Sequence, residues 1–166
     1  MRCLSGRADG FGQAANLQAT KIAIIVGRWH SYIVDRLLQG ALNTANECGI
    51  GDAQIDIVQA PGAYEIPLVA KALAQRGNYA ALVTLGAVIK GDTPHFDFVA
   101  GECARGLATI SIEFDVPIGF GVLTVNTVEQ AIARAADGEA NKGREAMLAA
   151  LEVAHLLATL PKEPAQ

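Results

Sequence analysis

The sequence predicts an α/β chain in which a four-stranded parallel sheet lies between two layers of helices. Three observations predict it. Short, nearly unbroken aliphatic runs recur along the chain, as strands buried on both faces do. Between the runs, apolar residues fall at helical spacing. Hydrophobic residues make up 51% of the chain and aromatics only 5%, so the core is aliphatic. The 166 residues fit one domain. A chain of that size buries roughly 70% of its unfolded surface, enough to fold without disulfides or metal.

The first strand is Ile22-Ala23-Ile24-Ile25-Val26, ending at Gly27. From Ser31 to Cys48, Ile33, Val34, Leu37, Leu38, Ala41, Leu42 and Ala45 mark one helical face, and Gly49 and Gly51 stop it. Ile55 to Val58 is the second strand. Pro61-Gly62 breaks the chain before a helix from near Glu65 to Gln75, with Pro67 in its first turn. Ala80 to Ile89 is the third and most apolar strand. Thr93-Pro94 has the form of an N-cap followed by proline at the first helical position, opening a helix to about Glu113. Pro117 to Val125 is the fourth strand. Thr127 with Gln130 three residues later resembles a capping box for a short helix ending near Gly138. Asn141 or Lys142 starts the last helix, which carries Met147, Leu148, Leu151, Leu156 and Leu157.

Strands alternating with helices pair in parallel through right-handed crossovers. The expected architecture is therefore a three-layer α/β/α sandwich of flavodoxin-like type. Residues 1–20 read as a flexible arm, 21–160 as the α/β unit and 161–166 as a tail. The stretch Asn16-Leu17-Gln18 is a candidate edge strand, on this chain or on a neighbouring subunit.

Seventeen acidic and thirteen basic residues give a net charge of −4, which argues against nucleic acid as a partner. No apolar run reaches the ~18–20 residues of a membrane span, and the first twenty residues lack a signal-peptide core. Cys3, Cys48 and Cys103 are dispersed, as free thiols of a reducing cytoplasm are, and form no metal-binding pattern.

In open parallel sheets, ligands sit beyond the carboxyl ends of the strands. Three segments leave the sheet there: Gly27-Arg28-Trp29-His30, Ala60-Pro61-Gly62-Ala63-Tyr64-Glu65 and Lys90-Gly91-Asp92-Thr93-Pro94-His95. The third is richest. Gly91 permits close backbone approach, the amides after it open a helix N-terminus suited to an anion, and His95 is a candidate general base. Spacing alone reads it equally as a plain helix cap with an exposed histidine. Trp29 is a stacking platform for a flat heterocycle or, taken singly, a lid over the first helix. Glu65 is an acceptor for ligand hydroxyls or an ordinary first-turn acid. His30 caps the first helix or is simply exposed, and His155 reads as structural. Arg134, Lys142 and Arg144 flank the joint at Gly138, off the ligand edge, as a solvated face does.

Taken in order, these segments resemble the lumazine synthase family from about Lys21 to Leu157. The carriers are Val26-Gly27-Arg28-Trp29, Pro61-Gly62-Ala63-Tyr64-Glu65-Ile66-Pro67, Leu85 to Asp97, Phe120-Gly121-Val122-Leu123-Thr124 and Asn141-Lys142-Gly143. The resemblance implies a transferase of riboflavin biosynthesis. It would condense 5-amino-6-(D-ribitylamino)uracil with 3,4-dihydroxy-2-butanone 4-phosphate, using no metal and no organic cofactor. It implies that Trp29 stacks on the pyrimidine, where phenylalanine is common, and that Ala63 and Glu65 hold the ribityl chain. Val88, Ile89 and Lys90 would line the pyrimidine site, Gly91, Asp92 and Thr93 would hold phosphate, and His95 would transfer protons. Arg134, Lys142 and Phe120 would reach a neighbouring subunit's site. His30 departs from the asparagine often found there. The implied partners are small-molecule substrates and further copies of the chain, as a pentamer or as twelve pentamers in a shell. The short joint at Gly138 is compatible with a shell. The competing reading is a non-catalytic flavin-binding or shell-forming paralogue on the same scaffold.

Overall fold

The computed structural model describes residues 21–160. The arm at 1–20, its candidate edge strand and the tail at 161–166 lie outside the described residues. The chain runs β1 (Ile22–Gly27), α1 (Ser31–Glu47), β2 (Ile55–Ala60), α2 (Ile66–Ala74), β3 (Ala81–Ile89), α3 (His95–Glu113), β4 (Ile118–Val125), α4 (Val128–Ala135) and α5 (Lys142–Thr159). A single 3-10 turn, Asp52–Gln54, precedes β2. All four strands are parallel, in the order β2-β1-β3-β4. The chain turns one way from β1 to β2 and the other way from β3 to β4. The switch point therefore lies between the carboxyl ends of β1 and β3.

Every residue of β1 is buried, because helices cover both faces of this central strand. On one face Ile22, Ile24, Val83, Leu85 and Leu123 meet α1, α4 and α5 through Leu37, Ala131 and Met147. On the other, Ala23, Ile25, Leu82 and Val122 meet α2 and α3 through Ile66, Leu73 and Leu107. This is the three-layer, flavodoxin-like sandwich that the alternating runs require.

Helix ends follow local chemistry. Gly49 takes a left-handed φ of 83° after α1. Its amide donates to the Asn46 carbonyl at 2.9 Å, and the Ile50 amide donates to the Ala45 carbonyl at 2.9 Å. Ile50 is buried beneath, which completes a Schellman ending. Thr127 caps α4, accepting from the Gln130 amide at 3.3 Å. The Gln130 side chain in turn accepts from the amide of Asn126 rather than of Thr127. That helix stops at Ala135, three residues before Gly138. One expected cap is corrected. Thr93 is not the N-cap of α3: Pro94 occupies that position, with no side-chain cap bond, and His95 is the first helical residue. Pro94 sits at φ −63°, ψ −3°, short of a full helical turn, and its carbonyl takes the Asp97 amide at 3.0 Å.

Asn141 decides the choice between two starts for α5. Its Oδ1 accepts from the amides of Gly143 at 2.9 Å and Arg144 at 3.1 Å. Its Nδ2 donates to the carbonyls of Arg36 (3.2 Å), Ala135 (3.1 Å) and Ala136 (3.2 Å). One buried carboxamide thus joins α1, the end of α4 and the start of α5. The backbones meet too closely there for side chains. A Cβ on Gly143 would lie 1.9 Å from the Leu37 carbonyl oxygen, and one on Gly40 would lie 2.2 Å from Asn141 Oδ1. By contrast, a Cβ on Gly51 would meet nothing within 4 Å. Gly143→Ala is expected to lower stability by about 3 kcal/mol, the upper end for forced overpacking. Gly51→Ala should change it by less than about 1 kcal/mol. Urea denaturation of both variants checks the pair, and equal midpoints would mean that α1 and α5 do not touch at Gly143.

Candidate active site

The carboxyl edge of the sheet carries one group of the expected residues. Gly27 closes β1 beside the neighbouring strand exits: a Cβ there would be in ordinary contact, 3.6 Å from the Leu85 carbonyl oxygen and 3.8 Å from the backbone of both Gly62 and Gly86. The Arg28 amide donates to the Ala60 carbonyl at 3.1 Å, which ties the exit of β1 to the exit of β2. His30 then turns the chain into α1 in the left-handed region (φ 58°, ψ 46°), a conformation histidine tolerates better than branched residues. It is the N-cap by position, but its side chain makes no cap bond. Its imidazole meets the Tyr32 ring edge-on, with centroids 6.5 Å apart.

That turn leaves Trp29 outside the core. Its side chain is 72% exposed, so it is not a lid over the first helix. The indole lies along the backbone of Gly62, where a Cβ would be 2.9 Å from Trp29 Cδ1 and 3.2 Å from Nε1. The same point is 3.1 Å from Glu65 Oε2. Glu65 is the N-cap residue of α2 by position, yet its carboxylate makes no cap bond and stands exposed. The carbonyls of Gly62 and Ala63 take the amides of Glu65 and Ile66, each at 3.3 Å, which holds this turn. Ala63 is buried beneath it.

At the end of β3, Val88 is buried, Ile89 half-buried and Lys90 exposed. The Lys90 amide still bonds to the Val125 carbonyl at 2.9 Å, so the ladder persists to the mouth of the site. Gly91, Asp92, Thr93 and His95 are all exposed. A Cβ on Gly91 would meet nothing within 4 Å, so nothing in this chain demands a glycine there. His95 heads the 19-residue α3, at the helix's positive end.

A second group lies elsewhere. Phe120, Thr124, Arg134 and Lys142 line an open cleft of about 180 Å³ along β4, the last strand of the sheet. Neither Trp29, Glu65 nor any of residues 90–95 lines it. Phe120 is 45% exposed. Arg134 Nη1 donates to the Gln130 carbonyl at 3.1 Å, and Lys142 Nζ pairs with both oxygens of Glu145 at 2.6 and 2.7 Å. Arg144 does not join them. It turns toward α1, pairing with Glu47 at 2.5 Å and donating to Thr44 Oγ1 at 3.3 Å. His155 is half-buried on α5, away from both groups of lining residues.

Neither described thiol suits nucleophilic work. Burial pushes Cys103 up to about 11, and burial, with Glu47 beside it, also raises Cys48. Two residues that matter were not singled out for a role beforehand. Gly62 leaves room beside its backbone for both the indole and the carboxylate, and Asn141 ties together the helix ends that carry Arg134 and Lys142. Asn141 was visible in the sequence only as a helix start and as part of a motif.

Sheet order and loop placement define a class: the doubly wound α/β proteins, whose ligand sites lie beyond the carboxyl ends of the strands. Within that class the chain has a family. Residues 19–158 match the family model of 6,7-dimethyl-8-ribityllumazine synthase, and the chain belongs to that family.

The contact at Gly62 has a direct test. Gly62→Ala should displace the exposed indole and carboxylate while leaving the core alone. Trp29 is the only tryptophan, so its emission reports the change without ambiguity. The expected result is an altered tryptophan spectrum with an unchanged urea midpoint; an unchanged spectrum would mean that Trp29 does not rest on Gly62.

Proposed function

We propose that the chain is a transferase, 6,7-dimethyl-8-ribityllumazine synthase. It condenses 5-amino-6-(D-ribitylamino)uracil with 3,4-dihydroxy-2-butanone 4-phosphate and releases phosphate and water. The observation that carries this reading is the division of the motif residues. An aromatic, an acid and an open helix end follow the carboxyl ends of β1, β2 and β3, while a second aromatic and two cations stand on a separate cleft. A condensation of two substrates needs both sets.

In this reading the pyrimidine stacks on Trp29 and meets the backbone of Val88, Ile89 and Lys90. Its ribityl chain runs along Ala63 to Glu65. The phosphate of the ketone sits at Gly91, Asp92 and Thr93, where free amides and the helix dipole favour an anion. The amine adds to the ketone carbonyl, and loss of water leaves an imine. Phosphate then departs, the ring closes through the second nitrogen, and a further water is lost. His95 carries protons between these steps. Most of the acceleration comes from holding the two reactants in place, which can supply several kcal/mol. Arg134, Lys142 and Phe120 complete the site from a neighbouring copy, in a pentamer or in twelve pentamers. Exposed Leu68, Phe98 and Ile112 on α2 and α3 support such self-association. No helix among the described residues is long and apolar enough to cross a membrane.

Incubating the protein with both substrates should produce lumazine fluorescence. Binding of the pyrimidine without turnover would instead favour the non-catalytic paralogue. His95→Ala should slow turnover about 100-fold with the fold intact. Arg134→Ala should chiefly raise KM for the phosphorylated ketone. Verified mixed assemblies of the two variants should recover activity, since one subunit then lends its intact half to the other; no recovery would remove the sharing of sites.

A further inference from the structure

We infer that Trp29 is more than a stacking surface: its indole N–H and the Glu65 carboxylate together read a single hydroxyl of the polyol chain. The inference rests on the function proposed above. It starts from Gly62: a Cβ there would lie 3.2 Å from Trp29 Nε1 and 3.1 Å from Glu65 Oε2, so both atoms flank the same bare stretch of backbone. Both side chains stand at the surface of the site, Trp29 being 72% exposed. No hydrogen bond from the indole N–H or to the Glu65 carboxylate is present among the described residues.

Chemistry narrows what can satisfy both groups. An indole N–H only donates, and a carboxylate only accepts. An ammonium would suit Glu65 but has nothing to accept from the indole. A carbonyl oxygen would suit the indole but would face the carboxylate's negative charge. A hydroxyl does both, donating to Glu65 while its oxygen accepts from Trp29 Nε1. A ring stacked on the indole would also shut water away from this edge, so an unmatched N–H or carboxylate there would become costly. The pair therefore selects a chain bearing a hydroxyl over an alkyl chain of equal length. Phenylalanine at position 29 would stack but has no donor.

Two stable probes separate stacking from hydroxyl reading. They are 5-nitro-6-(D-ribitylamino)uracil, which cannot form the imine, and 5-nitro-6-(pentylamino)uracil, which lacks the hydroxyls. Calorimetric titration of the full chain and of Trp29→Phe measures both. The ribityl probe is expected to bind the variant about fivefold more weakly, the loss of one hydrogen bond. The pentyl probe should change less than about twofold. Trp29→Phe combined with Glu65→Ala should cost the ribityl probe less than the product of the single losses, because one hydroxyl serves both groups. Equal losses for the two probes would reduce Trp29 to a stacking surface. Independent losses in the double variant would overturn the shared hydroxyl. If the unaltered protein bound neither probe, the proposed function itself would fail and take this inference with it.

Discussion

The buried amide of Asn141 is the constraint on which much else depends. One side chain reaches five backbone groups, its two N–H groups shared among three carbonyls and its oxygen accepting from two amides, and so fastens α1, α4 and α5 where their backbones nearly touch. A carboxamide is the one uncharged side-chain head that can both donate and accept several bonds in a buried place. Aspartate could still accept from the two amides but could not donate to three carbonyls. Because Arg134 lies one residue before the end of α4 and Lys142 is the first residue of α5, this junction also sets the mouth of the cleft on β4. A structural tie thus positions two cations that it never contacts through its own side chain.

The sheet contributes the other half of the geometry. With β1 and β3 adjacent and their connections diverging, no helix crosses the space beyond their carboxyl ends. Gly27 lies beside Gly62 and Gly86, where the exits of β1, β2 and β3 come together. His30 then aims the following helix back along the sheet and leaves Trp29 pointing outward. The platform is rigid because its residues hang on the ends of buried strands rather than on long loops.

Much of this was legible in the sequence, for identifiable reasons. Apolar runs mark strands, and the runs at Ile22, Ile55, Ala81 and Ile118 are where the strands lie, although only the central β1 and β3 are buried on both faces. Ending signals such as Gly49 and Thr127 are local, so local residues reveal them. What escaped was decided by distant contacts. Asn141 binds the carbonyl of Arg36, 105 residues earlier, and no spacing rule reaches that far. The role of Gly62 depends on where an indole from another strand end comes to rest. Thr93 misled because an N-cap signature describes a preference, whereas the shallow ψ of Pro94 set the actual start of α3.

The structure also divides the motif residues into those the fold requires and those it does not. Gly143 and Asn141 have internal reasons: a larger or differently bonded side chain there would collide or leave buried groups unsatisfied. Gly91, Thr93 and His95 have none. They are exposed, a Cβ at Gly91 meets no neighbour, and Thr93 caps nothing. The same holds for Phe120, a large aromatic kept nearly half exposed on the last strand of the sheet. Folding alone would favour a polar residue at such a site and a bonded cap before α3. Where local stability and the residue present disagree, chemistry with a ligand or with a second copy is the remaining physical reason, and both sets of disagreements fall on the two halves of the proposed site.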